Sequence, residues 1–264
     1  AEMDRLNDAE ASYRRGLALM PDFAEGHLNL GLALARLGDL SDARARFRKA
    51  GDIQPGLTQA HTSLGKALFE EGDWDEAAEC FARALEGNPD DAEVHVQMGS
   101  VLLLQGDVDG AVSSFTRAVE LDPGLAAAHH GLGRALRRAG CAADAERALN
   151  RCLEIDPGHR GAHIEMTVHH FFHGRLGAAW NAFQWRLGDP GWTRRTFMHP
   201  GWEGGPLQGK TVLAWGELGL GDEIQFASMV PDLVEAGADV IVESDPRLVP
   251  LFERSFPGVR CVLR

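Results

Sequence analysis

No apolar run in this 264-residue chain approaches the ~20 residues that a membrane-spanning helix needs, and its first residues carry no leader segment. Both absences favour a cytoplasmic protein with no membrane span. Cysteine is scarce. Cys80, Cys141, Cys152 and Cys261 show neither the paired spacing of a metal site nor the density of a disulfide framework, which leaves reduced thiols. Base is short relative to acid, 26 Lys and Arg against 39 Asp and Glu, and the net charge of -13 argues against a general binder of nucleic acid or anionic lipid. A local basic patch is still compatible with that balance.

What the chain has in abundance is a period. Pro21, Pro55, Pro89, Pro123 and Pro157 recur every 34 residues, and the intervals share more than the proline. Gly31, Gly65, Gly99 and Gly133 precede the last four prolines by 24 residues, and Ala43, Ala77, Ala111 and Ala145 precede them by 12. Phe47, Phe81, Phe115 and Leu149 follow the same register. In the unit from Ala24 to Leu57, Leu28, Leu30, Gly31 and Leu34 mark one helix, Gly38-Asp39 a break, and Ala43, Phe47 and Ala50 a second helix that ends at Pro55. Gly31 and Ala43 let the two backbones approach, and Phe47 is expected to fill the space between this pair and the next. No unit buries its apolar face alone, so stacking is obligatory.

The pattern resembles the tetratricopeptide repeat, whose unit is a helix, a tight turn and a second helix. Full units start at Ala24, Thr58, Ala92 and Ala126. A degenerate one starts at Arg160, with Gly174, Ala179 and Phe183 in register and Gly191 where the proline belongs. Ala9 and Tyr13 mark a lone second helix before Pro21, so the chain reads as a piece of a longer protein. The expected fold is a mostly α, right-handed superhelix over residues 1–186, a linker over 187–209 rich in glycine and proline, and a partial Rossmann-like α/β subdomain over 210–264. Within the last, strands at 211–215, 238–243 and 259–263 alternate with helices at 222–236 and 246–255, the second capped by Ser244 or Asp245. That order predicts a parallel sheet with right-handed crossovers.

The resemblance implies that first helices line a concave groove that takes a protein or peptide. Candidate groove residues are Asn29, Lys66, His130, Arg134, Arg137 and Arg138. The last four crowd one stripe of one helix, where like charges gain no local stability. They form either a clamp for an acidic partner or ion pairs with Glu146 and neighbouring acids. O-linked N-acetylglucosamine transferases carry groove asparagines, but the corresponding places here are Asn29, Ser63, Gln97, Gly131 and Glu165, and only Asn29 conforms. His27, His61, His95, His129 and His163 form a ladder. Repeats stack roughly 10 Å apart and metal ligands converge to about 2 Å, so the ladder is read as packing. His169 and His173 lie one helical turn apart with no third or fourth ligand, and a solvated helix face is expected; no metal site is assigned.

The run from Gly209 to Phe226, with Gly219-Leu220-Gly221-Asp222 at its centre, Pro231 beyond it and Phe256-Pro257-Gly258-Val259 before the third strand, resembles the entry strand and loop of bacterial repeat-bearing glycosyltransferases related to the heptosyltransferases. Gly174-Arg175-Leu176 to Trp185-Arg186 and Pro200-Gly201-Trp202 are similar to the passage from repeats to transferase in that family. The resemblance implies a two-lobed (GT-B) transferase in which Asp222 is the base for the acceptor hydroxyl and Gly219 and Gly221 allow close approach of substrate. The nucleotide-binding second lobe is absent from this sequence. The chain alone is therefore expected to hold no cofactor and to transfer no sugar, a nucleotide-sugar donor being expected only with that lobe. Asp222 is also a natural helix cap. A dinucleotide site, with Glu243 on a ribose, is opposed by the glycine order. An interaction scaffold with a non-catalytic α/β cap is the other reading.

Overall fold

The computed structural model describes residues 2–175, 178, 179, 182, 205–215, 223, 227 and 229–263. Its contacts divide the chain into two compact units, Ala1–Arg194 and Arg195–Arg264.

The first unit is an array of antiparallel helix pairs. A single helix, α1 (Glu2–Leu19), precedes the pairs α2 (Ala24–Leu37) and α3 (Leu40–Ile53), α4 (Thr58–Glu71) and α5 (Trp74–Gly87), α6 (Ala92–Gln105) and α7 (Val108–Leu121), and α8 (Ala126–Arg138) and α9 (Ala142–Ile155). The first helix of a fifth unit, α10 (Arg160–Phe172), follows. The glycine that ends each first helix recurs with the repeat. Gly38, Gly72, Gly106, Gly140 and Gly174 have φ of 86°, 85°, 87°, 81° and 67°, a left-handed turn that other residues enter at a cost. Asp39 and Asp107 then cap the following helices, accepting from the Asp42 and Gly110 N–H groups at 3.1 and 2.9 Å.

Each first helix packs on its own second helix, on the second helix of the preceding unit and on the first helix of the next, whereas successive second helices barely meet. The array therefore curves with first helices on its inner side. Its core is the expected residue set: Leu30, Leu34, Ala43, Phe47, Ala50, Leu64, Leu68, Ala77 and Phe81 form one continuous buried cluster. The aromatic partner differs from the expectation. A β-carbon on Gly31, Gly65 or Gly99 would lie 2.6, 2.7 or 2.9 Å from the ring of Phe47, Phe81 or Phe115 respectively, so each ring first covers the glycine of its own pair. Phe115 also bridges to the next unit, where it covers Gly131.

The histidine ladder has a more specific role than packing. In every unit the imidazole Nε2 reaches the carbonyl oxygen of the proline six residues earlier. The pairs are His27 to Pro21, His61 to Pro55, His95 to Pro89 and His163 to Pro157 at 2.9 Å, and His129 to Pro123 at 3.0 Å. A carbonyl only accepts, so Nε2 carries the proton. Each histidine thus ties the loop that enters its repeat to its own first helix. Gly51 makes room for one such ring, since a β-carbon there would lie 2.9 Å from His61.

At the far end of the array, His169 is not on a solvated face. It is 2% exposed, stacked on His173 with ring centroids 4.4 Å apart, and 3.2 Å from Glu146 of α9. Arg175 binds both Glu146 oxygens, at 2.7 and 2.9 Å. Hydrogen bonds from Arg175, then from His169, hold the Glu146 carboxyl down at about 2. Cys80 and Cys152 are buried free thiols, pushed up to about 11 by burial.

The second unit is a small parallel sheet. Strands β1 (Thr211–Trp215), β2 (Asp239–Ser244) and β3 (Arg260–Leu263) lie in the order β1-β2-β3, with α11 (Val230–Glu235) and α12 (Val249–Ser255) between them in sequence. Val212 pairs with Val240, Ala214 with Val242, and Val242 with Cys261. Val240 and Val242 pack with Ala227, Val230, Leu248 and Phe252. The helix after β2 starts later than expected because a turn intervenes, in which Asp245 accepts from the Arg247 and Leu248 N–H groups at 2.9 and 2.8 Å.

Two stability measurements check these contacts. Replacing His61 with Phe keeps a ring but strands the Pro55 carbonyl, and should cost about 1–2 kcal/mol in chemical denaturation; an unchanged midpoint would deny the latch. Glu146→Gln should lower the melting temperature at pH 7 by about 2–4 °C. Because the folded carboxyl is depressed, its contribution is present above pH ~4.5 and fades as pH falls towards 2, so the gap between wild type and variant should close over that range.

Candidate functional site

The inner face of the array is where the repeat architecture presents side chains to a ligand. First helices alone line it, and one residue in three or four of each points into it. Asn29 on α2 and Lys66 on α4, both expected in the groove, are exposed. The structure separates the four members of the α8 cluster. Arg137 places Nε 2.8 Å from Glu165 Oε2, and Arg134 places Nε 3.5 Å from Oε1 of the same carboxylate. Arg138 donates through Nη1 to the carbonyl oxygen of Leu103, at 2.7 Å, near the end of α6. A guanidinium there meets the negative end of the α6 dipole.

His130 leaves the groove cluster altogether. Its ring lies 4.7 Å from that of His159 and occupies the space above Gly161, where a β-carbon would sit 2.9 Å from it. Burial, then the neighbouring His159 and Arg134, push the imidazole down to about 4, so it is neutral at pH 7. Of the expected basic stripe, Arg134 and Arg137 share one acid, Glu165, between them. Glu146, the acid named as their partner from sequence, binds Arg175 instead; the partner is Glu165.

Glu165 was missed as an ion-pair partner, yet a signal existed. Arg14 with Asp42, Arg44 with Glu71, Arg48 with Glu76, Asp90 with Arg117 and Arg137 with Glu165 all pair across a unit boundary. Their sequence separations are 28, 27, 28, 27 and 28 residues, somewhat less than the repeat.

Asp222, Gly219 and Gly221 lie outside the described residues. Their neighbour Glu223 is buried, and its Oε2 accepts from the Asp245 N–H at 3.0 Å, which links the segment after β1 to the turn after β2. Among the described residues there is no group of three or more His, Cys, Asp or Glu able to hold a metal ion, and no helix is long and apolar enough to cross a membrane.

Comparison with known proteins agrees with the helical architecture. A tetratricopeptide-repeat family matches residues 1–57 and 62–126, and a second matches 102–164. FlbA of Caulobacter vibrioides is 44% identical over 91 residues, which are 33% of this chain and 15% of FlbA. The chain therefore spans only a small part of this curated relative. Among solved structures, YrrB, described as a tetratricopeptide-repeat protein with an unusual peptide-binding site, superposes with a TM-score of 0.58 at 21% identity. That alignment covers 68% of this chain and 92% of YrrB. MamA from Desulfovibrio magneticus RS-1 gives a TM-score of 0.56 at 20% identity over 61% of this chain and 91% of its own. At such identities the likeness is one of fold. The array of helix pairs, its 34-residue register and these matches together make the chain a member of the tetratricopeptide-repeat family.

Proposed function

We propose that this chain is a scaffold that captures an extended, acidic peptide or protein segment along the inner face of its repeats. The observation that carries the reading is the Arg134, Arg137 and Glu165 group, in which two guanidinium groups of α8 share a single carboxylate of α10. One positive charge is left over there, and Lys66 adds another along the same face. Asn29 supplies an amide suited to a peptide backbone. A carboxylate ligand competes with Glu165 for the longer of its two contacts, the 3.5 Å one to Arg134. The architecture supports the same reading, because repeat arrays of this kind present a long concave surface, and YrrB, of the same fold, has a peptide-binding site.

A second reading concerns the α/β unit, and the parallel order of β1, β2 and β3 favours it. In this reading the unit is the start of the first lobe of a two-lobed glycosyltransferase belonging to a longer protein, with Asp222 as base and the nucleotide-sugar bound by a second lobe. Ligands of open parallel sheets gather at the carboxyl ends of the strands, which is where the segment after β1 begins. The two readings are compatible, the scaffold presenting the acceptor that the transferase modifies.

Selection of a displayed 12-residue peptide library on the 264-residue chain should enrich acidic sequences. Their affinity should fall about tenfold in Lys66→Ala/Arg134→Ala and on raising salt from 0.05 to 0.5 M. Enrichment without acidic residues, or affinities untouched by both changes, would remove the clamp. For the second reading, Asp222→Asn keeps a helix cap and removes a base. In a protein carrying both lobes it should cut transfer roughly a hundredfold or more with little change in melting temperature, and full activity would leave Asp222 without a catalytic role.

A further inference from the structure

The junction between the fourth and fifth units carries two imidazoles, His130 and His159, in addition to the latch histidine that every junction has. The residue preceding each first helix is Phe23, Leu57, Asp91, Leu125 or His159. Only at the last does an imidazole take the helix cap: His159 Nδ1 accepts from the Ala162 N–H at 3.1 Å. To accept, Nδ1 must be unprotonated. A proton on it removes the cap and sets a cation against the positive end of α10, an unfavourable charge–dipole contact. Beside it the half-buried His130 ring fills the space over Gly161.

We propose that His130 and His159 form a proton-operated hinge, by which mild acid loosens the start of α10 from α8. The groups around the pair are Arg134 on α8, Cys152 on α9, Asp156 in the intervening turn, and Arg160, Glu165 and His163 on α10, the last bound to the Pro157 carbonyl of the same turn. Asp156 is engaged locally, accepting from the Gly158 N–H at 2.9–3.0 Å as its counterpart Asp122 does from Gly124. Arg134 is a cation and opposes a second positive charge on His130. Burial supports the same direction, since the His130 imidazole is held at about 4 in the closed junction and returns to its ordinary value near 6.5 once exposed. The sign follows: acid favours the open form from pH ~6.5 downward, by up to tenfold per pH unit for His130.

The far end of α10 stays tied. Glu146 keeps its charge until pH nears 2 and holds Arg175 and His169. The movement is therefore a pivot about the Glu146 contact. As the start of α10 lifts, Glu165 is withdrawn from Arg134 and Arg137, which leaves two guanidinium groups for a ligand; this consequence for binding rests on the groove reading above. The hinge itself does not, because it is measured with no peptide present.

Hydrogen exchange read by mass spectrometry on the 264-residue chain at pH 7.5 and 5.5 tests it, with α2–α5 as internal reference for the intrinsic effect of pH. Amides 161–166 should exchange about five- to tenfold faster at pH 5.5 relative to that reference. His159→Asn keeps a cap that cannot titrate and should reduce the response, and His130→Gln/His159→Asn should abolish it. The same protection ratio at both pH values in the wild type, or an undiminished response in the double variant, would overturn the hinge. Peptide affinities unaffected by Lys66→Ala/Arg134→Ala, with the exchange response intact, would sink the groove reading alone.

Discussion

A hydrogen bond from the fourth residue of each first helix to the proline carbonyl six residues earlier recurs at every junction, within 0.1 Å of one length. The rest of the array depends on it. The proline ends the preceding helix and leaves its carbonyl pointing into the loop, and an unpartnered carbonyl beside a buried interface costs about 1–3 kcal/mol. The histidine satisfies it and, by doing so, sets where the next helix starts. With the loop fixed, the glycine and aromatic of a pair meet in the same way three times over, Leu149 takes the place of the ring over Gly133 in the fourth, and the first helices fall on the inner side of the curve.

The same regularity extends to the charges. Arginines and acids pair across nearly every boundary, as in Arg44 with Glu71 and Arg48 with Glu76, and Arg138 is spent on the end of α6. Exposed pairs of this kind contribute little stability each. Most of them involve a second helix, whereas Arg134 and Arg137 with Glu165 join two first helices. An acidic chain with two guanidinium groups on one carboxylate has an electrostatic focus that its net charge of -13 conceals.

The sequence was most legible where one residue type answers one backbone demand. Gly38 and its equivalents had to turn with positive φ, Pro55 and its equivalents had to stop a helix, and Ala43 and Phe47 had to lie inward because the period repeats them. It was less legible where two chemistries fit one residue. A histidine at helical spacing is consistent with packing, a ligand or a latch, and its carbonyl partner is invisible until the loop has a shape. His169 reads as a solvated residue when the sequence offers it no further ligand, whereas Glu146 and Arg175 close over it from 23 residues before and six after.

What the sequence determined by itself, then, is the repeat, the ends of the helices, the buried set and the order of strands and helices beyond them, since all of these follow from local sterics and apolar periodicity. What only the tertiary structure decided is the pairing of charges and imidazoles. Arg137 took Glu165 and not Glu146, and His130 turned from the groove to Gly161 and His159. Long side chains can satisfy themselves on either of two neighbouring helices; which one they choose depends on the angle between repeats, and that angle is a property of the packed array.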